Sequence, residues 1–325
     1  MAICVTGGAG YIGAHVVRLL ARAGHEVVVV DDLSYGDAGR VGAAELVQLE
    51  LADTAELPRL QAALDGCEAV VHIAARKQVG ESVERPAWYY QQNIGGMANL
   101  LLAMQAQGVD QLVFSSSAAV YGQPSVDRVE EDIAPQPINP YGESKLVGEW
   151  MVRDAARAWG LRGVNLRYFN VAGAGWEDLG DPAVLNLIPM VLQRLFEGRR
   201  PAVFGDDYPT EDGTCLRDYV HVADVASAHI AALDYLARAE RPFDAFNIGT
   251  GRSHSVRQVI ETIGRVTGLD VAPEILARRP GDPAVLVGDV SRIEQVFGWK
   301  AEHGLDSIVE SSWRAWQAGP KRIEL

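Results

Sequence analysis

The chain has 325 residues, of which 48% are hydrophobic, and this length favours two packed lobes over one. Its net charge of -14 argues against a nucleic-acid or anionic membrane surface, because such surfaces need clustered Lys and Arg. No apolar stretch approaches the roughly 20 residues of a membrane span, and the first apolar run is too short for a secretory leader. Three cysteines form no paired framework, which suits a reducing compartment. We therefore expect a cytoplasmic protein with no nucleic-acid and no membrane partner.

A glycine-rich turn follows the first apolar run. The sequence TGGAGYIGAH occupies positions 6–15, directly after a run typical of a buried strand, and apolar residues continue at helical spacing from Ile12. Gly7, Gly10 and Gly13 allow a tight turn and the close approach of a pyrophosphate, which the helix N-terminus faces with free N–H groups. Because the motif joins a predicted strand to a predicted helix, it predicts a dinucleotide site.

Two acidic residues end the second predicted strand, which covers positions 26–30. These are Asp31 and Asp32. A carboxylate at this place accepts the hydroxyls of the adenosine ribose, and two carboxylates repel a 2′-phosphate. The pair therefore predicts NAD in preference to NADP.

Strand-like and helix-like segments alternate through the first half of the chain. This alternation predicts an α/β fold with a Rossmann-like, doubly wound parallel sheet, whose ligands bind beyond the carboxyl ends of the strands. The predicted strands cover positions 3–6, 26–30, 46–49, 69–73, 111–115 and 163–167.

From about residue 171, proline and glycine punctuate the pattern more often. We expect a smaller C-terminal α/β lobe and a division into residues 1–170 and 171–325, which the chain is free to cross. Short helices are predicted at 187–197, 223–237, 255–266 and 291–297. Ser255 and Gln258 have the spacing of a capping box, and Gly298 is placed to end the last of these helices.

The helix predicted after Pro86 carries more apolar residues than one sheet face needs. Tyr89, Ile94, Met97 and Met104 belong to this set. The surplus is either core or a helix–helix dimer face, and we favour the dimer face.

Metal binding has little support in the sequence. His221 and His229 flank Asp224, but no HExxH or CxxC pattern accompanies them. We expect no metal site, and we expect these histidines to cap a helix or to lie on the surface.

A serine, a tyrosine and a lysine form the candidate catalytic set. Ser117 follows a predicted strand end, Asn139 and Pro140 open a helix as N-cap and first-turn residue, and Tyr141 and Lys145 share one face of that helix. An adjacent ammonium and a cationic nicotinamide both favour the phenolate of a tyrosine, whose ordinary pKa is ~10. Tyr141 would then take a proton from a substrate hydroxyl while the carbon beneath gives hydride to NAD⁺. Ser117 would hydrogen-bond the reacting oxygen, and Lys145 would tune Tyr141 and hold the nicotinamide ribose.

With these residues in place, the sequence resembles the extended short-chain dehydrogenase/reductase family, and within it the UDP-hexose 4-epimerases. The likeness runs almost end to end, through TGGAGYIGAH, KQVGESVERP, SSSAAVYG, PYGESKLVGE, LRYFNVAGA, FGDDYPTEDGTCLRDYVHVAD, FNIGTG and RRPGD. It implies interconversion of UDP-glucose and UDP-galactose at C4 through a transient 4-keto sugar, with a tightly bound NAD. The sugar turns over between the two hydride transfers while its UDP stays anchored. The resemblance also supports a homodimer through helices around 86–107 and 141–159.

The same resemblance implies the ligand contacts, and it makes the C-terminal lobe the UDP-sugar lobe. Arg217 and Arg279 suit a diphosphate, because guanidinium groups pair well with phosphate oxygens. The implied cofactor contacts are Gly7, Gly10, Tyr11, Ile12, Gly13, Asp31, Asp32, Leu33, Glu50, Leu51, Ile73, Ala74, Ala75, Lys77, Gln92, Tyr141, Lys145 and Phe169. The implied UDP-sugar contacts are Lys77, Ser117, Tyr141, Asn170, Asn186, Leu187, Ala202, Val203, Phe204, Arg217, Arg279, Asp282 and Leu286.

Several positions depart from the family's pattern. Glu50 stands in place of a usual Asp, Gln92 in place of a usual Asn, and Arg76 in place of an apolar residue. Ala119 replaces a usual Thr beside the catalytic serine. Leu286 is intermediate between the large and small residues found at its position, so it leaves acceptance of N-acetylhexosamines undecided.

Other functions stay open at this point. An arginine such as Arg76 near the hexose C6 motivates a UDP-glucuronate or UDP-pentose 4-epimerase. A 4,6-dehydratase needs an acid and a base where Ala118 and Ala119 stand, which disfavours it. A non-catalytic NAD sensor typically loses the Tyr or the Lys, and this chain keeps both.

Overall fold

The structure, a computed structural model, describes residues 1–238, 243–279 and 281–319. Pro280, within the RRPGD segment, lies outside the described residues. The chain forms two compact units and passes between them more than once. The first unit holds residues 1–122, 134–168 and 226–246, and the second holds residues 123–133, 169–225 and 247–325.

The strands follow one another along the chain as short segments, most of them in the first half or in the stretch after residue 200. In chain order they are β1 (Ala2–Thr6), β2 (Glu26–Asp31), β3 (Glu45–Gln48), β4 (Ala69–His72), β5 (Gln111–Ser117), β6 (Arg162–Tyr168), β7 (Asn170–Ala172), β8 (Ala202–Phe204), β9 (Leu216–His221), β10 (Phe243–Ile248), β11 (Ser253–Ser255), β12 (Glu274–Leu276) and β13 (Val285–Leu286).

The α-helices lie between these strands. They are α1 (Tyr11–Arg22), α2 (Leu57–Ala63), α3 (Val79–Glu84), α4 (Pro86–Tyr90), α5 (Gly96–Gln107), α6 (Pro140–Trp159), α7 (Leu187–Phe196), α8 (Val222–Arg238), α9 (Val256–Thr267), α10 (Ser291–Phe297) and α11 (Leu305–Ala318). Short 3₁₀ turns cover Ala38–Arg40, Thr54–Glu56, Ala118–Tyr121 and Glu177–Leu179, and a π-helical turn covers Gln91–Gly95.

A seven-stranded sheet organises the first unit. Its order is β3-β2-β1-β4-β5-β6, with β10 beside β6, and each neighbouring pair from β3 to β6 is parallel. This order places the strand reversal between β1 and β4, where dinucleotides bind in folds of this kind. The predicted Rossmann-like parallel sheet is confirmed, because the buried apolar strands alternate with helices as the sequence indicates.

The core of the first unit packs helices against this sheet. Leu60 of α2, Met97 and Met104 of α5 and Val152 of α6 are almost fully buried with apolar strand residues such as Val70. Burial of a large apolar side chain contributes about 2 kcal/mol, so this cluster is a main source of the unit's stability. Met97 and Met104, part of the apolar surplus after Pro86, are therefore core residues.

The helical region after Pro86 is not one uniform α-helix. The π-helical turn Gln91–Gly95 separates α4 from α5, and it places Gln92 and Asn93 toward the segment after β4. The sequence analysis predicted a continuous helix here. A single π turn of five residues is too short to show a side-chain period in the sequence, and such turns are frequent at functional sites.

The second unit is built around β9. Strands β7 and β13 pair with β9 in parallel and β11 pairs antiparallel, while β8 and β12 form a separate parallel pair. Its apolar core includes Ile188, Val203, Ile260 and Trp316. The capping box of Ser255 and Gln258 is confirmed, as is the left-handed Gly298 that ends α10. Helix α11 was not predicted. In the described ranges, no helix is both long enough and apolar enough to cross a membrane.

Candidate active site

The glycine turn between β1 and α1 is packed too tightly for side chains. A Cβ on Gly13 would lie 2.0 Å from the Gly7 carbonyl oxygen, and one on Gly7 would lie 2.6 Å from the Ala74 amide nitrogen. A Cβ on Gly10 would lie 3.3 Å from the Gly7 carbonyl oxygen. Helix α1 starts at Tyr11 without a capping side chain, so its first turn, which includes Ile12, presents its N-terminus to a ligand.

The acidic end of β2 is held by backbone N–H groups. The Asp31 carboxylate accepts the Ala9 N–H at 3.0 Å and the Leu33 N–H at 2.9 Å. Leu33 has a positive φ of 61°, a conformation that the Asp31 contact stabilises. Burial raises the pKa of Asp31, whereas hydrogen bonds from Ser34 and the charge of Arg76 hold the pKa of Asp32 below its usual range despite partial burial.

The other predicted cofactor residues of the first unit lie after the neighbouring strands. The N–H groups of Ile73 and Ala74 both donate to the Thr6 carbonyl at 3.1 Å, which fixes the segment after β4 beside the glycine turn. Ala75 follows in this segment, and Lys77 is exposed near its end. After β3, the Leu51 carbonyl accepts the Asn99 amide at 2.8 Å, so Glu50 and Leu51 are tied to α5.

Ser117 and Tyr141 influence each other electrostatically. Ser117 ends β5, its Oγ accepts the Ala119 N–H at 3.1 Å, and its hydroxyl acts to lower the pKa of the Tyr141 phenol. Helix α6 begins where predicted, because the Asn139 side chain accepts the Gly142 N–H at 2.9 Å. This cap directs the first turn of α6, and with it Tyr141, toward the end of β5.

Lys145 lies one helical turn after Tyr141 and is 5% exposed. Its ammonium donates to the Ser115 carbonyl at 2.8 Å. Burial lowers the pKa of Lys145 to about 7 and raises the pKa of Tyr141, while the hydrogen bond from Ser117 opposes that rise. The predicted preference for the phenolate, which includes a cationic nicotinamide, stays a prediction; in the protein alone the Lys145 ammonium is directed at the Ser115 carbonyl. A positive charge on the nicotinamide is the remaining influence that favours the phenolate.

A buried polar group beneath this site was missed in the sequence analysis. The Tyr168 hydroxyl lies 2.7 Å from Ser115 Oγ and 2.5 Å from Nε2 of His229. His229 is fully buried, so its predicted surface placement is wrong. Tyr168 therefore helps to hold Ser115, whose carbonyl accepts the hydrogen bond from Lys145. Nothing in the spacing of Tyr168 and His229 signalled this, because they come from separate segments.

His221 behaves partly as predicted. Its Nδ1 accepts the Ala223 N–H at 3.0 Å at the start of α8, which is a capping role, but the side chain is buried and not at the surface. Among the described residues, no group of three or more His, Cys, Asp or Glu side chains is arranged to hold a metal ion.

The predicted ligand contacts of the second unit include one cofactor residue, Phe169, and several sugar-nucleotide residues. Phe169 is buried against Gly288, and Asn170 is exposed on β7 beside Tyr219 of β9. Asn186 precedes α7, which begins at Leu187, and its amide donates to the Asp181 carboxylate at 3.0 Å.

Arginines of the second unit lie beside the remaining predicted contacts. Arg217 is paired in register with Leu286, donates to the Pro283 carbonyl at 2.8 Å and lies 3.4 Å from the Asp282 carboxylate. Ala202, Val203 and Phe204 form β8. The exposed Arg279 guanidinium lies over the Phe204 ring at 3.8 Å, so the structure joins Arg279 to β8 and Arg217 to Asp282 and Leu286.

The first unit thus combines a glycine turn at a helix N-terminus, an acid at the end of the second strand, a serine at the end of β5, and a tyrosine one helical turn before a buried lysine. This set is typical of enzymes in which a bound dinucleotide exchanges hydride with the substrate.

Comparison with known proteins supports this class. Residues 3–249 match the model of the NAD dependent epimerase/dehydratase family. The chain is 46% identical over 320 residues to a UDP-glucose 4-epimerase of Azospirillum brasilense, covering 96% of this chain and 91% of that protein. A solved UDP-glucose 4-epimerase from Brucella ovis in complex with NAD has a TM-score of 0.91 and 42% identity, covering 96% and 97% of the two chains. One from Stenotrophomonas maltophila, with bound NAD and formylated UDP-arabinopyranose, has a TM-score of 0.92 and 42% identity over 98% of each chain.

The chain belongs to the NAD-dependent epimerase/dehydratase family. The residues of its first unit fit NAD. Gly10 at the N-cap of α1 carries no side chain that could cap the helix N-terminus, and the buried Asp31 carboxylate lies at the strand end where an adenosine ribose binds in folds of this kind. The glycine turn would hold the pyrophosphate, Asp31 the adenosine ribose, and Tyr141 and Lys145 the nicotinamide end.

Proposed function

We propose that this protein is a UDP-glucose 4-epimerase, which interconverts UDP-glucose and UDP-galactose with a tightly bound NAD. The observation that carries the proposal is the placement of Lys145, which is buried one helical turn after Tyr141 and donates to the carbonyl of Ser115 on the strand that ends at Ser117. The family model and the names of the similar enzymes support the same reaction.

In this mechanism Tyr141 accepts the proton of the sugar O4 as the C4–H bond breaks. Ser117 hydrogen-bonds the same oxygen and keeps it beside the phenol. NAD, when bound, accepts the hydride from C4 and later returns it. After the 4-keto sugar has turned over, Tyr141 returns its proton to O4, and the sugar leaves with the opposite configuration and no net oxidation.

Turnover of the sugar requires a firmly held UDP and a loosely held hexose. We assign the diphosphate to Arg217 and Arg279, whose guanidinium groups are suited to phosphate oxygens. Asn170, Asn186, Leu187, Asp282, Leu286 and the strand Ala202–Phe204 complete the proposed sugar-nucleotide contacts, with Lys77 at the sugar end. Phe169 completes those of the cofactor.

Arg76, which motivated a uronate substrate, does not favour that alternative. Its guanidinium is paired with Asp32 at 2.6 Å and hydrogen-bonded to Gln92. A substrate carboxylate would have to compete with these partners, so UDP-glucose stays the preferred substrate.

We further propose that residues 1–170 act as the NAD lobe and residues 171–325 as the UDP-sugar lobe, and that the protein is a cytoplasmic homodimer. Leu102 of α5 and Trp150 of α6 support the dimer, because they are 54% and 46% exposed on the helices around 86–107 and 141–159.

Proton NMR of the purified protein with UDP-galactose and no added NAD tests the function. We expect UDP-glucose to form, because the isolated protein should carry its cofactor. UDP-glucuronate and UDP-N-acetylglucosamine are run in parallel. Conversion of only one of these would reassign the substrate, and no conversion of any sugar even with added NAD would contradict the epimerase proposal.

A further inference from the structure

Arg76 is the centre of a polar cluster, and the proposed reaction assigns no role to this arginine itself. It lies in the segment after β4, and its side chain is only 11% exposed. The cluster unites residues separated by 16 to 44 positions in the sequence. It also brings together positions 50, 76 and 92, each of which departs from the pattern of the resembling family.

The guanidinium of Arg76 joins three neighbouring segments. Its Nη2 lies 2.6 Å from the Asp32 carboxylate after β2 and 3.5 Å from the Glu50 carboxylate after β3. Its Nε and Nη2 donate to the Gln92 side-chain oxygen in the π turn at 3.0 and 2.9 Å, and its Nη1 donates to the Ser34 hydroxyl. A planar fork of donors is suited to such multiple contacts, which a lysine cannot reproduce.

Hydrogen bonds to the Arg76 backbone and aromatic rings near its guanidinium group also hold this residue in place. Asn93 accepts the Arg76 N–H at 2.8 Å and donates to its carbonyl at 3.0 Å, and its amide reaches the Ser144 hydroxyl at 2.9 Å. The rings of Tyr35 and Trp88 each lie 5.3 Å from the guanidinium carbon. The side chain is therefore an ordered part of the unit and not a mobile surface group.

Its partners lie at the carboxyl ends of β2 and β3, where an adenosine ribose and its base bind in a Rossmann-like sheet. We propose that Arg76 is a positioning residue for cofactor retention, fastening the ends of β2 and β3 to the π turn and so keeping the adenosine end of the NAD site closed. This inference rests on the proposed NAD-dependent function. Retention suits that function because the hydride taken from a sugar must be returned to the same sugar.

Exchange of bound NAD tests this inference without depending on turnover. Protein isolated with its NAD is mixed with an excess of isotopically labelled NAD, and native mass spectrometry follows replacement. We expect Arg76→Leu to exchange NAD at least about tenfold faster, since several hydrogen bonds to a charged group are lost. Arg76→Lys should lie between the wild type and the Leu variant.

Arg162→Leu is the matched control. Arg162 also carries a partly buried ion pair, 2.9 Å from Asp110, but it begins β6 at the opposite, amino-terminal edge of the sheet. Its exchange rate should equal that of the wild type. A general loss of folding stability would accelerate exchange in both variants, and that result would overturn the specific role of Arg76.

A second measurement separates a specific effect on NAD binding from a general effect on folding stability. The rise in melting temperature on adding NAD to NAD-depleted protein should be smaller for Arg76→Lys than for the wild type. An unchanged rise and an unchanged exchange rate would overturn the inference while leaving the epimerase function intact. The inference would also be overturned if the Arg76 variants bound NADP more weakly than the wild type but bound NAD equally well. That result would assign the guanidinium to the 2′-phosphate of NADP. A wild-type protein that binds no NAD would instead refute the proposed function itself.

Discussion

Tyr141 is the side chain on which the proposed chemistry depends most directly. Tyr141→Phe removes the phenol hydroxyl and keeps the ring. We expect turnover of UDP-galactose to fall by about 10²–10⁴-fold, the range for loss of a general base, with NAD still bound. Steady-state kinetics and the NAD absorbance of the purified variant measure both. Tyr235→Phe on α8 is the control, and equal activity of the two variants would remove Tyr141 from its assigned role.

His72 links the site to the pH dependence of stability. It ends β4, its Nδ1 lies 2.6 Å from the Thr6 hydroxyl, and burial with the nearby Lys145 charge lowers its pKa from 6.5 to about 3. The unfolded chain therefore binds a proton as pH falls below 6.5 while the folded protein does not, so stability is lost in that window. His72→Gln should reduce the loss of unfolding free energy between pH 7 and pH 5 by about 1–2 kcal/mol. Urea titrations at both pH values check this, and equal losses for variant and wild type would contradict it.

Motif residues such as Gly13, Tyr141 and Lys145 were predictable because their chemistry depends on short local spacing. Their electrostatics were not, since the direction of the Tyr141 pKa depends on burial and on where the Lys145 ammonium points. The partners of Arg76 were beyond prediction for the same reason. They converge from segments up to 44 positions apart, and no local pattern encodes that meeting.

Helix α6 is joined to the sheet by a buried ion pair. Arg167 of β6 donates to Glu149 from Nε and Nη2 at 2.9 and 2.7 Å, and Glu149 also accepts the Ser116 hydroxyl at 2.5 Å. Glu149→Gln would leave the Arg167 charge buried without its counter-ion, and we expect a loss of about 3 kcal/mol of unfolding free energy. Asp154→Asn, at an exposed pair on the same helix, should change stability by less than about 1 kcal/mol. Urea unfolding compares them, and equal effects would contradict a structural role for the buried pair.

The sequence predicted some strands much better than others. Strands β1 to β6 were located to within two residues, because their apolar runs alternate with helices along the chain. Strands β7, β8 and β11 to β13 contain only two or three residues, too few for a periodic pattern, and they are specified by their pairing with distant partners.

At the level of the full chain, the composition predicted neither where charged side chains lie nor how the chain divides into units. The net charge of -14 excluded classes of partner but did not place the arginines that the second unit gathers near β8 and β9. Each unit is assembled from three separate segments of the chain, and composition gives no signal of this division. Residues 226–246 lie in the first unit although the preceding residues lie in the second. Only the pairing of strands and the packing of helices encode such a path.

The proposed homodimer requires exposed apolar surface on the first unit. Met97 and Met104 are buried in the core, so the dimer face proposed for these helices must come from residues such as Leu102 and Trp150, which are 54% and 46% exposed. We expect the wild type to have twice the mass of one chain by light scattering and Leu102→Glu/Trp150→Glu to have the mass of one, because burying two carboxylates in an apolar interface is unfavourable. Val296→Glu, at an exposed apolar side chain of α10, should stay dimeric. A wild-type monomer, or a double variant that stays dimeric, would move the interface away from α5 and α6.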